Sequence, residues 1–180
     1  MRQVQLYLER IRVSSPQNLH QSLLKTTVFK NWLTTHKQSY LSHFFSSISA
    51  QLKPKSTWEI GYFNPESQRI TVFSQTEQSF TIKQEDDIFK SETGRVEWLE
   101  LSKIKTNFED MSLKCQEQIP ALFPKESLGD GFVVLQKFEG KIQWNFTFVT
   151  KSLKFANIKI NAASGAVDSH QLVEAVRREK

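Results

Sequence analysis

Trp144-Asn145-Phe146-Thr147-Phe148 alternates bulky apolar with polar residues, and a period of two places the rings of Trp144, Phe146 and Phe148 on one face of a β-sheet. A second alternation, Asn157-Ile158-Lys159-Ile160-Asn161, runs into Ala162-Ala163-Ser164-Gly165-Ala166-Val167. There a run of small residues closing on Gly165 stops the strand in a turn. This pattern builds architecture and carries no chemistry.

Working outward, Phe132-Val133-Val134-Leu135 and the turn at Glu139-Gly140-Lys141 complete a three-stranded meander with the Trp144 strand in its middle. Ahead of it, Thr106 and Glu109 have capping-box spacing. Phe108, Met111, Cys115, Ile119 and Leu122 then step by three and four along one helical stripe until Pro120 and Pro124 interrupt it. Trp58, Ile60 and Tyr62, the turn residues Asn64-Pro65-Glu66-Ser67, and Ile70 with Val72 predict a hairpin. Phe80 with Ile82 offers a third strand and Val96-Glu97-Trp98-Leu99-Glu100-Leu101 a fourth, with exposed connections at Glu85-Asp86-Asp87 and Ser91-Glu92-Thr93-Gly94.

Near the N-terminus Val4, Leu6 and Leu8 alternate like a short strand, and Ser14-Ser15-Pro16 reads as a helix start with proline in the first turn. Leu19, Leu23, Phe29, Leu33, Tyr40, Leu41, Phe44 and Ile48 recur at spacings near three and four up to Pro54. They predict one long helix, or two shorter ones broken near Thr26-Thr27-Val28 or Thr34-Thr35. Asp168-Ser169-His170 predicts the cap of a last helix carrying Leu172, Val173 and Val176. The expected class is therefore α+β, with antiparallel sheet and helices packed on one face. Its two forms are a pair of tandem αβββ units and a single sheet wrapped on its helices. The corresponding division is a basic helical segment over 1–56, a β meander over 57–105, and a helix with three strands over 106–180; residues 57–180 and the N-terminal helix form one domain in the alternative.

With 180 residues, 38% of them apolar, and 14 Phe and 4 Trp, the chain can fill a core. No window reaches the roughly 20 consecutive apolar residues of a membrane span, and the first ten residues lack the apolar region of a secretory leader. The expectation is a cytoplasmic protein, or an extracytoplasmic one if a leader has been trimmed. The single cysteine, Cys115, excludes an internal disulfide. The net charge of +5 is uneven. Residues 1–57 carry eight Lys/Arg (Arg2, Arg10, Arg12, Lys25, Lys30, Lys37, Lys53 and Lys55) against the one acid Glu9, a bias that suits an acidic partner or a solvated helical face.

Residues 106–167 resemble the PepSY-like domains of protease propeptides and small prokaryotic proteins. The carriers are the amphipathic helix at Phe108–Ile119, the central strand led by Trp144, and the closing run Ile158-Lys159-Ile160-Asn161-Ala162-Ala163-Ser164-Gly165-Ala166-Val167, in which Asn161 stands where that family usually has Asp. The resemblance implies a small cystatin-like αβββ module that binds, inhibits or regulates, usually outside the cytoplasm. It implies no catalytic residue.

Among chemistry-bearing residues, Cys115 lies on the apolar stripe of its helix and reads as a small buried hydrophobe. His20, His36, His43 and His170 contain no His-x-x-x-His pair. Glu85-Asp86-Asp87 lacks the glycine and alternating oxygen ligands of a calcium loop, and the six glycines never form a phosphate cradle. No cofactor, metal or catalytic residue is predicted. Trp58, Trp98 and Trp144 fall at strand positions where packing is the default, whereas Trp32 sits in the basic segment beside Lys30 and Lys37. The reading is a non-enzymatic binding or regulatory module that contacts a protein. The alternative is a nucleic-acid-binding protein, and Arg2, Arg10, Arg12, Lys30, Trp32 and Lys37 are the candidate binding residues.

Overall fold

Two helices come first among the described residues, each defined by its cap. The computed structural model describes residues 15–83, 86–87 and 95–174. The readings at Val4–Leu8, Arg2, Arg10, Arg12, Glu85, Ser91–Gly94 and Val176 fall outside them. The Ser15 hydroxyl accepts from the Asn18 amide ahead of helix α1, Pro16–Leu24, with Pro16 in its first turn. Thr26 accepts from the Phe29 amide and starts α2, Thr27–Thr35. The break expected near Thr26-Thr27 is therefore a cap. Leu19, Leu23, Phe29 and Trp32 form the buried stripe of this pair.

The helical pattern does not continue to Ile48. Tyr40–Ile48 is a strand, β1, and the helical character expected for residues 1–56 is corrected there. The pairing of β1 with β2, Glu59–Asn64, shifts register between Leu41 and His43, a β-bulge. An extra residue in a strand lets two positions three apart face the same side. Leu41 and Phe44 thus both reach the core, and Ile48 follows at even spacing, so the bulged strand imitates helical spacing.

The hairpin continues through β3, Arg69–Gln75, and the short β4, Phe80–Ile82, while β5, Asp86–Asp87, also pairs with β3. Val96–Leu101, expected as a strand, joins no ladder. It passes the end of β1, where the Leu99 amide donates to the Leu41 carbonyl at 2.9 Å, and leads through a 3-10 turn at Leu101–Lys103. Helix α3, Phe108–Leu122, follows. Its cap is Asn107, whose side chain accepts from the Asp110 amide, one residue later than the expected Thr106. Thr106 is engaged elsewhere: its hydroxyl donates to the Ala162 carbonyl and accepts from Trp144 Nε1, both at 2.9 Å.

Strands β6 (Leu128–Phe138), β7 (Lys141–Thr150) and β8 (Lys154–Asn161) form the predicted meander with Trp144 in its middle strand. The turn after β8 is held by Asn161, whose side chain accepts from the amides of Ala163 and Ser164, and by Gly165 at φ +71°. That turn folds the chain back antiparallel, so the segment expected as a final helix is a strand, β9, Val167–Glu174, paired along β8. Local helix signals lose here to the ladder that the turn brings within reach.

All nine strands belong to one antiparallel sheet in the order β4-β3-β2-β1-β6-β7-β8-β9, with β5 beside β3. β1 and β6 are the one pair of neighbours along that path that are not consecutive in sequence, and they match His43–Ile48 with Gln136–Gly131. The expected α+β class, including its tandem αβββ form, is overturned: the fold is dominated by a single continuous sheet, with three short helices among the described residues. One core joins Leu19, Leu23, Phe29 and Trp32 to Phe44, Ile60 and Phe73, and on to Leu135, Trp144, Ile160, Phe108 and Cys115.

Close approach of β7 to β6 constrains Gly131. A Cβ at Gly131 would lie 2.0 Å from the Thr147 carbonyl oxygen and 2.9 Å from the Phe148 Cα, both backbone atoms that cannot swing away. At Gly140, φ +77°, a Cβ meets open space and only the left-handed backbone opposes it. Gly131→Ala is therefore expected to cost about 2–3 kcal/mol, and Gly140→Ala nearer about 1 kcal/mol. Denaturant unfolding of the two variants checks that order.

Candidate functional site

Alternation along the strands divides the side chains between two faces. Phe44, Ile60, Phe73, Leu135, Trp144 and Ile160 point to the helices. Their sequence neighbours Phe45, Glu59, Ser74, Val134, Asn145 and Lys159 form a cross-strand row on the opposite face, which carries no helix among the described residues. This helix-free face is the candidate functional surface.

At its centre, on the β1–β6 seam, the rings of Phe45 and Phe132 stack with centroids 5.7 Å apart. On the β6–β8 side lies an amide and hydroxyl ladder, in which Asn157 Nδ2 donates to Asn145 and, at 2.8 Å, to Thr147 Oγ1. Gln143 Nε2 donates to Asp168 at 2.6 Å. The ammonium of Lys159 stands 4.8 Å from the centroid of the Phe138 ring, a cation–π contact. On the β2–β3 side Lys83 pairs with Glu59. Opposite charges lie close to one another here, so the face offers hydrogen-bonding groups and aromatic surface with no field of one sign.

The β1 bulge also turns Ser42 and His43 side by side. Ser42 Oγ donates to the Gly61 carbonyl at 2.9 Å and lies 2.9 Å from His43 Nδ1, which therefore carries the proton shared between them. The imidazole lies over Gly61; a Cβ there would sit 2.1 Å from His43 Cε1. Burial pushes the His43 pKa down to about 4, outweighing the opposite pull of the Glu59 carboxylate. His43 is thus neutral at pH 7 and a structural part of the face.

On the helical side His20 Nε2 and the Tyr62 hydroxyl share a 2.6 Å hydrogen bond, and burial lowers the histidine pKa and raises that of the tyrosine. Cys115 is fully buried, and burial drives its thiol up to about 12, so it stays protonated at neutral pH. Among the described residues no group of three or more His, Cys, Asp or Glu is placed to hold a metal ion, and no helix is long and apolar enough to cross a membrane.

The sequence-derived candidates fall elsewhere. Lys30 and Lys37 are exposed on and after α2, while Trp32 is buried against Phe29, His36, Tyr62 and Phe73. The available indole is Trp98, expected in the core and in fact 58% exposed on the segment that rounds the end of β1. Tyr40 anchors that segment by donating its hydroxyl to the Val96 carbonyl at 2.9 Å. Helical spacing in residues 19–48 hid Phe45. The adjacent pair Phe44-Phe45 was its signal, because a strand must send two neighbours to opposite faces.

No family model and no curated protein matches the chain. Among solved structures it is similar to a candidate lipoprotein from Clostridium difficile 630, at 12% identity and a TM-score of 0.45, over 79% of this chain and 88% of that one.

A histidine whose folded pKa lies below its unfolded value leaves the unfolded state holding more protons in between, so stability falls as pH drops from 6.5 towards 4. The wild-type denaturation midpoint is expected to fall between pH 7 and pH 5, by no more than about 1.4 kcal/mol per pH unit for one group. His43→Gln should flatten most of that slope, and His20→Gln a smaller part. In Gly61→Ala the displaced imidazole should titrate closer to 6.5, as followed by its NMR ring resonances.

Proposed function

We propose that the protein is a non-enzymatic binding module of regulatory character, and that it receives a protein partner on the helix-free face of its sheet. The observation that carries this reading is the Phe45–Phe132 stack, placed at the middle of a wide sheet face over which no helix of the described residues packs. Folding the core alone needs only one face of such a sheet. Enrichment in aromatic side chains is part of what distinguishes the centre of a protein interface from ordinary surface. Trp98, at the end of β1, adds a large side chain of the kind that dominates binding energy. The resemblance of residues 106–167 to PepSY-like modules, which work by binding, agrees with this reading.

Near-balanced charge on the face implies a partner held by apolar contact and hydrogen bonds, and hence an association that resists salt. The test immobilises the full chain, exposes it to a lysate of the cells that produce it, and washes through a salt series. A discrete protein is expected to remain at about 0.5 M salt, where exposed charges are screened within a few ångströms. Its retention should fall about tenfold or more with Phe132→Asp or Trp98→Ala in chains that keep their circular dichroism. The proposal fails if nucleic acid is recovered instead, released as salt rises and lost with Lys30→Glu/Lys37→Glu while Phe132→Asp has no effect.

A further inference from the structure

One end of the sheet brings three connections together: residues 49–55 after β1, 124–127 ahead of β6, and the turn 151–153 between β7 and β8. Hydrogen bonds hold them to one another. The Lys151 amide donates to the Ser127 carbonyl at 2.9 Å, Ser152 Oγ and Lys154 Nζ donate to the Glu126 carboxylate, and the Ala50 amide donates to Asp130 of β6 at 3.2 Å. This end lies opposite the one at which the Trp98 segment rounds β1.

Leu153, the last residue of the β7–β8 turn, stands there against two ordinary preferences. Its backbone is left-handed, φ +58°, a conformation that favours glycine, and its side chain is 64% exposed. Glycine would fit the turn better and leucine buries little in it, so folding does not account for the residue. Val149 and Phe155 pair across the same hairpin, Val173 stands beside Phe155 on β9, and these are 40%, 39% and 50% exposed. Together with Leu153 they make the hairpin end apolar, around a turn whose residues 151–153 are all exposed.

Charge decides what that apolar end can meet. Lys53, Lys125 and Lys151 are exposed and have no ion-pair partner among the described residues, while Asp130 pairs with Lys55, and Glu126 with Lys154, which also lies 3.9 Å from Glu174. Around these connections Lys53, Lys55, Lys125, Lys151 and Lys154 thus outnumber Glu126, Asp130 and Glu174. A convex turn offers a protein no groove, but it suits a bilayer, which takes up apolar side chains without a matching shape while lysine stems carry their ammonium groups out to anionic headgroups. We infer that the β7–β8 turn is a peripheral contact with an anionic lipid surface, in which Leu153 enters the apolar boundary and Lys53, Lys125 and Lys151 lie among the headgroups. The contact needs no spanning segment, and it does not rest on the proposed partner site, because it uses neither the Phe45–Phe132 stack nor Trp98.

The test sediments the full chain with vesicles of phosphatidylcholine containing about one-third phosphatidylserine, and with vesicles of phosphatidylcholine alone, at about 0.1 M salt. The wild type is expected to partition onto the anionic vesicles at least about tenfold more strongly. Leu153→Gly, which suits the left-handed backbone and should leave the unfolding midpoint unchanged or higher, is expected to weaken that binding about tenfold. Lys125→Glu/Lys151→Glu should weaken it at least as much. Leu113→Ala, which removes a comparably exposed leucine from α3, should leave it unchanged. A wild type that stays in the supernatant, equal binding to both vesicles, binding that survives Leu153→Gly, or a loss as large in Leu113→Ala would each overturn the inference. So would a discrete lysate protein whose retention falls with Leu153→Gly while the vesicles recover nothing.

Discussion

The hydrogen-bonded seam between β1 and β6 holds the molecule together. It matches six residues of β1, His43–Ile48, with six of β6, Gly131–Gln136, although the two strands are separated in the chain by most of the first meander and a helix. Such a contact closes a long loop before it returns any burial, and the entropy cost of that closure is met by the side chains it brings together. Phe44, Ile48, Val133 and Leu135 are fully buried along it. Separated, each meander would expose an edge strand and leave half of one core open. On the other side of β6 the Gly131 Cα is bare because the Thr147 backbone of β7 lies where a side chain would begin.

From the seam follows the difference between the two faces. The described helices pack on one side, and the residues that meet them are phenylalanine, tryptophan, isoleucine and leucine with few polar atoms. Thr106 shows how a necessary polar group is handled there: it links the Trp144 indole to the Ala162 carbonyl, tying α3 to the end of β8. On the other side the same strands display stacked phenyl rings among amides, hydroxyls and paired charges. A sheet covered once by helices has one face that builds the core and one left without them, and here the second spans the whole width of the sheet.

Much of this was legible residue by residue. The β7 alternation, the Asn161–Gly165 turn, the Ser15 cap, the helix break at Thr26-Thr27 and the burial of Cys115 each follow from chemistry within a few positions. β1 was not legible, because its bulge sets Leu41 and Phe44 three apart and Ile48 seven on, the spacing of a helical stripe. Nor was β9, where Asp168-Ser169-His170 resembles a helix cap until β8 supplies a ladder. Of the two tryptophans, Trp98 departs from its expected packing for a related reason. Trp32 lies on the inner stripe of its helix, and Trp98 falls in a segment that passes the sheet end without joining it.

The amino-acid order alone determined which segments are amphipathic, where turns and caps interrupt them, and that the interior is rich in aromatic side chains. These are local properties, set by side-chain size, periodicity and backbone preference over three to ten residues. The tertiary structure decided that β1 is a strand, that β1 and β6 fuse the two meanders into one sheet, and that Phe45 and Phe132 meet on its bare face. Pairing between distant strands depends on which backbone edges are free once the neighbours have folded, and no window of the sequence contains that information.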